Sequence, residues 1–89
     1  MTDIEKWVME SLAKKLLDGK DLIYVYNDGS SPHYMRNWHF MGIYNGMARF
    51  YYGDGLGYGH EVNISRETLI NLQDKGFVNF SYGTLKYLH

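Results

Sequence analysis

Hydrophobic residues recur at helical spacing over the first part of the chain. Thr2 and Glu5 form a capping-box pattern, and Gly19 is suited to the left-handed stop at a helix end. These features predict a helix from about Asp3 to Asp18. Its apolar stripe, which we expect to face the core, consists of Ile4, Val8, Leu12, Ala13, Leu16 and Leu17.

A short run of β-branched and aromatic residues follows this helix. The segment from Leu22 to Tyr26 predicts a strand, and Asn27-Asp28-Gly29 predicts the turn that ends it. The chain then continues to Asn37 through a stretch that contains Pro32, which disfavours helical angles at the residue before it. We expect an irregular connection of about ten residues here, longer than most loops of small domains.

The strongest local pattern is Asn45-Gly46, which is typical of a two-residue hairpin turn. It joins two apolar runs, Trp38 to Tyr44 and Met47 to Tyr52. A two-residue turn fixes the register of the two strands. The expected pairs are Tyr44 with Met47, Ile43 with Ala48, Met41 with Phe50, and Phe40 with Tyr51.

Alternation along the two strands sorts their side chains onto two faces. The face predicted to join the core carries His39, Met41, Ile43, Ala48, Phe50 and Tyr52. The opposite face is aromatic and amphipathic, and it carries Trp38, Phe40, Tyr44, Met47, Arg49 and Tyr51. We refer to this second set as the hairpin outer face.

The hairpin outer face is expected to be too apolar to remain in water. Each large ring can bury about 150 to 250 Å², and the largest apolar patch of a typical monomer is roughly 300 to 600 Å². The cover is either one of the chain's own helices or a second molecule. Because small α+β domains commonly place their helices on one side of the sheet, we favour a partner molecule. The predicted interaction surface is Trp38, Phe40, Tyr44, Arg49 and Tyr51.

Glycine occupies every second position from Gly53 to Gly59. The spacing is not that of the dinucleotide-binding fingerprint, because no helix follows directly, and it is not a P-loop. A flexible loop is one interpretation. The alternative is a site where backbone amides hold a small ligand, such as a nucleotide stacked on aromatic rings. Its candidate residues are Asp54, Gly55, Gly57, Tyr58 and His60.

A second helix and a closing strand complete the pattern. Ser65 is a good N-cap and Gly76 a good stop, so the helix is expected to run from Arg66 to Lys75. Phe77 to Tyr82 then predicts a strand, which Leu85 to Leu88 extends. The predicted fold is one α+β domain over residues 1–89, an antiparallel sheet of about four to five strands with two helices, in the order α-β-β-β-(β)-α-β.

Composition narrows the class of protein. The 89 residues include no cysteine, which excludes a disulfide scaffold, a thiol nucleophile and a thiolate metal site, and which favours a reducing cytoplasmic location. No apolar stretch is long enough to span a membrane, and the first residues are unlike a signal peptide. The net charge of −1 favours neither nucleic acid nor an anionic membrane as partner.

Candidate chemistry is sparse. The four histidines, His33, His39, His60 and His89, are scattered singly, without the spacing that aims two ligands at one metal ion. Ser30 or Ser31 with His33 could form a nucleophile and base, but only geometry identifies such a pair. We therefore expect no metal, no cofactor and no enzymatic activity.

The sequence thus leads to two hypotheses of different classes. The first is a non-enzymatic protein-interaction module that acts through the hairpin outer face on another protein or on a second copy of itself, as a homodimer. Its short length, its abundance of Tyr and Asn and the lack of enzymatic motifs are typical of phage or mobile-element accessory and inhibitor proteins. The second is a small-ligand binding protein that uses aromatic stacking and the glycine segment.

Overall fold

A computed structural model describes residues 1–89. The chain forms two helices and six strands: α1 (Asp3–Leu17), β1 (Leu22–Tyr26), β2 (His33–Tyr44), β3 (Met47–Gly53), β4 (Gly59–Ile64), α2 (Arg66–Lys75), β5 (Phe77–Asn79) and β6 (Gly83–Tyr87). The strands form one antiparallel sheet in the order β4-β3-β2-β1-β6-β5. The predicted α+β class is confirmed, with slightly more strands than expected.

Both helices begin and end at the predicted signals. The Thr2 side chain accepts a hydrogen bond from the backbone N–H of Glu5, and the Glu5 carboxylate accepts one from the backbone N–H of Thr2. At the start of α2 the Ser65 side chain accepts a hydrogen bond from the backbone N–H of Thr68, and Gly76 ends the helix with a left-handed φ of 80°. Local capping chemistry therefore sets the helix bounds.

The core lies between the helices and one face of the sheet. Every helix and every strand contributes at least one of its 14 buried side chains, and the two helices contact each other. The cluster consists of Met9, Ala13, Leu17, Leu22, Met35, Trp38, Ala48, Phe50, Tyr52, Ile64, Leu69, Leu72, Val78 and Leu85. Both helices therefore cover the same side of the sheet.

Strand β2 is longer than predicted. It begins at His33, so the expected loop to Asn37 is wrong, and only 27–32 connect β1 to β2. The first residues of β2 pair with β1, as in Leu22 with Met35, and the rest pair with β3. Asn37 lies at this change of partner with a left-handed φ of 52°.

The connection from α1 to β1 forms hydrogen bonds with the part of β2 that does not pair with β1. The backbone of Trp38 exchanges hydrogen bonds with Gly19 and Lys20. Two carboxylates continue the pattern, because Asp21 accepts from the backbone N–H of Asn37 at 2.9 Å and Asp18 accepts from that of Phe40 at 3.0 Å. These bonds satisfy donors that a strand edge would otherwise leave open.

A β-bulge changes the predicted register of the hairpin. The pairs nearest the turn, Tyr44 with Met47 and Ile43 with Ala48, are confirmed. Beyond them the register shifts between Phe40 and Gly42, so Phe40 pairs with Phe50. The extra residue reverses the faces of the residues just before it, as far as a second register shift between Arg36 and His39. The predictions that pair Met41 with Phe50 and Phe40 with Tyr51 are therefore wrong.

Two members of the predicted interaction surface lie inside as a result. Trp38 is 1% exposed, and Phe40 packs against the core. Conversely, His39 and Met41, which were predicted to be core residues, are exposed. The hairpin outer face thus retains only part of its expected apolar area.

Two further expectations about packing are wrong. In α1, Ile4 and Val8 are exposed, and Met9, Ala13 and Leu17 are the buried residues. The chain after α2 does not form one long strand either. β5 and β6 pair with each other around residues 80–82 and form a hairpin. Neither helix is long and apolar enough to cross a membrane.

Candidate functional site

The largest hollow of the molecule is an apolar cleft of about 550 Å³ on the helix side of the sheet. Nine of its 13 lining residues are hydrophobic. The 13 lining residues come from strands β1 to β4 and β6, from the β5–β6 turn and from the start of α2: Tyr24, Met35, Trp38, Met47, Val62, Asn63, Ile64, Ser65, Thr68, Phe80, Ser81, Tyr82 and Leu85. We call it the apolar cleft.

The apolar cleft lies beside the C-terminal half of β4, and residues 59–61 do not line it. Three consecutive residues of that strand, Val62, Asn63 and Ile64, line it. Successive side chains of a strand point to opposite faces, so a hollow that reaches all three lies beside the strand. The opposite wall is the β5–β6 turn, which also contributes three consecutive residues, 80–82. The sheet is therefore curled, and the cleft is the gap between its two ends.

Packed aromatic residues form the floor and one wall of the apolar cleft. The Trp38 indole donates a hydrogen bond to the carbonyl of Met35 at 2.9 Å and stacks on Tyr52, with ring centroids 5.4 Å apart. Tyr24 contacts Phe80 at a centroid distance of 6.1 Å. Because Trp38 is fully buried and hydrogen bonded, this floor is rigid before any ligand binds.

The rim of the apolar cleft is exposed and aromatic. Phe80 is 43% exposed and Tyr82 is 80% exposed, although both are large rings on a short turn. Nothing in the fold requires a bare tyrosine at position 82. Tyrosine at such a site offers a broad apolar surface and a hydroxyl, which suits contact with another molecule.

The polar groups at the α2 end of the apolar cleft are already engaged within the protein. The Ser65 hydroxyl accepts from the backbone N–H of Thr68 and is also 3.0 Å from the Thr68 hydroxyl. No buried side-chain nitrogen or oxygen in the protein lacks a partner. The lining therefore presents apolar surface more than free hydrogen-bonding groups.

A cluster of titratable side chains lies at the other end of the Trp38–Tyr52 stack. His60 stacks on Tyr52 with centroids 5.2 Å apart, and the His33 Nε2 lies 2.9 Å from the Tyr52 hydroxyl. His60 Nε2 in turn lies 2.9 Å from an Asp54 carboxylate oxygen. No three His, Asp or Glu side chains in the protein converge as metal ligands.

The pKa shifts in this cluster follow from those contacts. The hydrogen bond from His60, with backbone bonds from Leu56 and Tyr58, holds the pKa of Asp54 below its usual value. Burial, with the nearby Tyr26 and Asp54 charges, raises the pKa of Tyr52. The tyrosine is therefore neutral at physiological pH, and Asp54 is ionised.

The glycine segment has a structural explanation. The Asp54 carboxylate accepts hydrogen bonds from the backbone N–H groups of Leu56 and Tyr58, which ties the loop into a tight turn. Gly55 and Gly57 supply the positive φ values, 80° and 94°, that this turn requires. The predicted ligand residues, Asp54, Gly55, Gly57, Tyr58 and His60, are thus adjacent, and within this set Asp54 bonds to Tyr58 and to His60.

The remaining residues of the predicted interaction surface stay together on the hairpin outer face. Tyr44 and Tyr51 are each 47% exposed, and the Arg49 guanidinium lies 4.0 Å from the centre of the Tyr44 ring. Arg49 also contacts Asn63 and, at 3.8 Å, Glu61. The three side chains form a small amphipathic patch, separate from the buried Trp38 and Phe40.

Sequence reasoning missed most of the apolar cleft. Tyr24, Phe80 and Tyr82 were assigned to strands, and nothing in their spacing showed that a curled sheet would bring them opposite β4. Phe80-Ser81-Tyr82-Gly83 does contain turn residues that indicate a hairpin. That pattern could have identified the exposed rim.

Comparison with known proteins finds no matching family model, no similar curated protein and no similar solved structure. The functional argument therefore rests on the geometry of the site.

Proposed function

We propose that this protein is a non-enzymatic protein-interaction module whose docking site is the apolar cleft. The observation that carries the proposal is an apolar hollow of about 550 Å³ whose rim exposes the rings of Phe80 and Tyr82. Rigid aromatic anchors beside a desolvated pocket are the usual centre of binding energy in protein interfaces.

The cleft replaces the hairpin outer face as the main contact in this proposal. With Trp38 and Phe40 buried, the argument from excess exposed apolar area no longer holds for that face. Tyr44, Arg49 and Tyr51 remain a candidate secondary contact. The lack of cysteine supports a reducing, cytoplasmic setting.

A small-ligand binding protein is the second candidate, because the volume of the apolar cleft falls within the range of roughly 300 to 1,000 Å³ that is typical of ligand pockets. Such pockets usually aim a few free polar groups at the ligand. The hydroxyls of Ser65 and Thr68 bond to each other instead, which favours an apolar protein segment.

Selection of binders from a displayed library of random dodecamer peptides tests the proposal. We expect enriched peptides whose binding falls at least tenfold in Tyr82→Ala and Phe80→Ala variants. Tyr34→Ala, at a 40% exposed position that does not line the cleft, is the matched control and is expected to bind normally. Absence of enriched peptides, or equal binding by Tyr82→Ala, contradicts the proposal.

A thermal-shift panel of nucleotides and small aromatic compounds tests the second candidate. A ligand at 100 times its dissociation constant stabilises the folded state by about 2.7 kcal/mol. A shift that Tyr82→Ala abolishes, in a protein that selects no peptide, would favour ligand binding over protein binding.

A further inference from the structure

We infer that the apolar cleft takes an extended segment of another protein, which adds to β4 as a seventh strand of the sheet. This inference rests on the proposed function and specifies the conformation and chemistry of the partner. Strand addition at a free sheet edge is a general mode of peptide recognition, in which the backbone supplies hydrogen bonds and alternate side chains supply specificity.

Strand β4 is an open edge. It is last in the sheet order, and β3 is the only element that it contacts extensively. Natural proteins usually protect such edges with short strands, bulges, proline or lysine. The other edge, β5, is only three residues long, whereas β4 has six residues, an unbroken register with β3 and neither proline nor lysine.

In three residues of β4 the backbone N–H and C=O groups point away from β3. The backbone N–H of Asp54 donates to the carbonyl of Tyr58, so these two residues form a hydrogen-bonded pair at the loop. Hydrogen-bonded and non-hydrogen-bonded pairs alternate along an antiparallel ladder. Through the continuous register of β3 and β4, the groups that point outward belong to Gly59, Glu61 and Asn63.

The side chains of β4 then define the partner. An added strand places every second side chain on the face of Val62 and Ile64, where the apolar cleft and Trp38 receive it. The intervening side chains lie on the face of Glu61, whose side chain is 54% exposed. The fitting segment is therefore extended and apolar at alternate positions.

A second copy of this chain fits the edge less well. Symmetric antiparallel pairing of two β4 strands uses all three outward-pointing residues only when Glu61 lies opposite Glu61 of the other copy. In that register His60 of the other copy, not an apolar side chain, lies opposite Val62, and any other symmetric register loses backbone hydrogen bonds. The apolar lining of the cleft thus favours a segment of a different protein that is apolar at alternate positions.

Binding of a fluorescein-labelled peptide obtained from the library selection tests the inference. Asn63→Pro removes an outward N–H without removing a bond to β3, and it is expected to weaken binding about tenfold. Asn63→Ala keeps that N–H and is the matched control. If Asn63→Pro lowers thermal stability, a series of labelled peptides, each N-methylated at one backbone nitrogen, replaces this variant. Only methyl groups at every second position of the peptide are expected to weaken binding.

The outcomes separate the inference from the proposed function. Enriched peptides with alternating apolar residues and sensitivity to alternate N-methylation support strand addition. Peptides with apolar residues at helical spacing, or binding unaffected by every methyl group, overturn it while leaving a docking site in the cleft. A dimeric mass by light scattering that Asn63→Pro returns to monomer overturns it in favour of self-pairing. If no peptide is enriched, both proposals fail.

Discussion

The ring of Tyr51 lies over Gly59 across the β3–β4 pair, so that a Cβ atom at position 59 would overlap the ring. Gly59 does not have the left-handed φ seen at Gly55 and Gly57, so its lack of a side chain matters here for space. We expect Gly59→Ala to displace the Tyr51 ring and to lower the free energy of unfolding by about 1 kcal/mol. Urea denaturation measures the change.

Gly53, the strand partner of Gly59, gives the matched control. A Cβ at position 53 meets no atom closer than 4.0 Å, so Gly53→Ala is expected to leave stability nearly unchanged. In a Tyr51→Ala background the cost of Gly59→Ala should also disappear. Equal losses in both backgrounds would show that the ring is not the cause.

The fluorescence of the two tryptophans tests the effect of the bulge in β2 on the burial of Trp38. Trp7 is 68% exposed and Trp38 is 1% exposed. We expect Trp7→Phe to retain blue-shifted fluorescence that iodide barely quenches, and Trp38→Phe to retain red-shifted, readily quenched emission. Trp38→Ala is expected to lower stability by about 3–5 kcal/mol. Strong quenching of Trp38 in the folded Trp7→Phe variant would contradict the register described above.

The Asp18 carboxylate is expected to stabilise the middle of β2. Asp18→Ala removes the side-chain partner of the backbone N–H of Phe40, and because this bond is exposed we expect a loss of about 0.5–1.5 kcal/mol in the free energy of unfolding. Asp18→Asn retains an acceptor oxygen and should lose less. If both variants are equally destabilised in urea, the charge matters and the hydrogen bond does not.

The contribution of Asp54 to stability should depend on pH in the acid range. Its folded-state pKa is lowered, chiefly by the hydrogen bond from His60. Its stabilising effect is therefore complete above the unfolded pKa of about 3.9 and is lost as the pH falls through the lower folded value. We expect the stability difference between the wild type and Asp54→Asn to shrink below about pH 4.

Denaturation midpoints at pH 7, 5, 3 and 2 measure this difference. Leu56→Ala, at an 81% exposed position of the same loop, should show no difference from the wild type at any of these values. If the stability difference between the wild type and Asp54→Asn stays constant down to pH 2, the ionised carboxylate of Asp54 does not stabilise the fold.

Two tyrosines should ionise only at strongly alkaline pH. Burial raises the pKa of Tyr87, whose hydroxyl donates to the Leu16 carbonyl at 2.7 Å, and burial is also the main cause at Tyr52. Because the folded pKa lies above the unfolded value of about 10, the associated stability is present below pH 10 and is lost as the pH rises through the folded value.

Absorbance at 295 nm follows this ionisation. We expect Tyr87→Phe and Tyr52→Phe each to remove one equivalent from the most alkaline part of the titration. Tyr82→Phe, at an 80% exposed position, should leave that part unchanged. Tyr87→Phe should also cost about 1 kcal/mol, because the Leu16 carbonyl loses its donor.

Local signals predicted the elements better than they predicted the faces. Caps and turns, as at Thr2, Ser65 and Asn45-Gly46, depend on neighbouring residues, so the sequence alone was sufficient to place both helices and the hairpin turn. The face on which each hairpin side chain lies depends on strict alternation along the strand, and a β-bulge interrupts that alternation. One extra residue, Met41, moved Trp38 and Phe40 to the core side.

The site itself depends on long-range geometry. The apolar cleft joins Tyr24, Val62 and Phe80, and their meeting depends on the curl of the sheet. The change of strand partner at Asn37 and the hydrogen bonds from Asp18 and Asp21 to β2 likewise join distant parts of the chain. These interactions link distant segments, so no pattern within a single window of sequence could show them.

The path of α2 has a mechanical consequence. This helix leaves the end of β4 and enters β5, the two outermost strands of the sheet. Its ten residues span about 15 Å, and its N-terminal turn contacts the cleft through Thr68. The helix is therefore a connection of fixed length between the two edge strands. The cleft is therefore formed before binding, so the docking proposed here would cost this protein little conformational entropy.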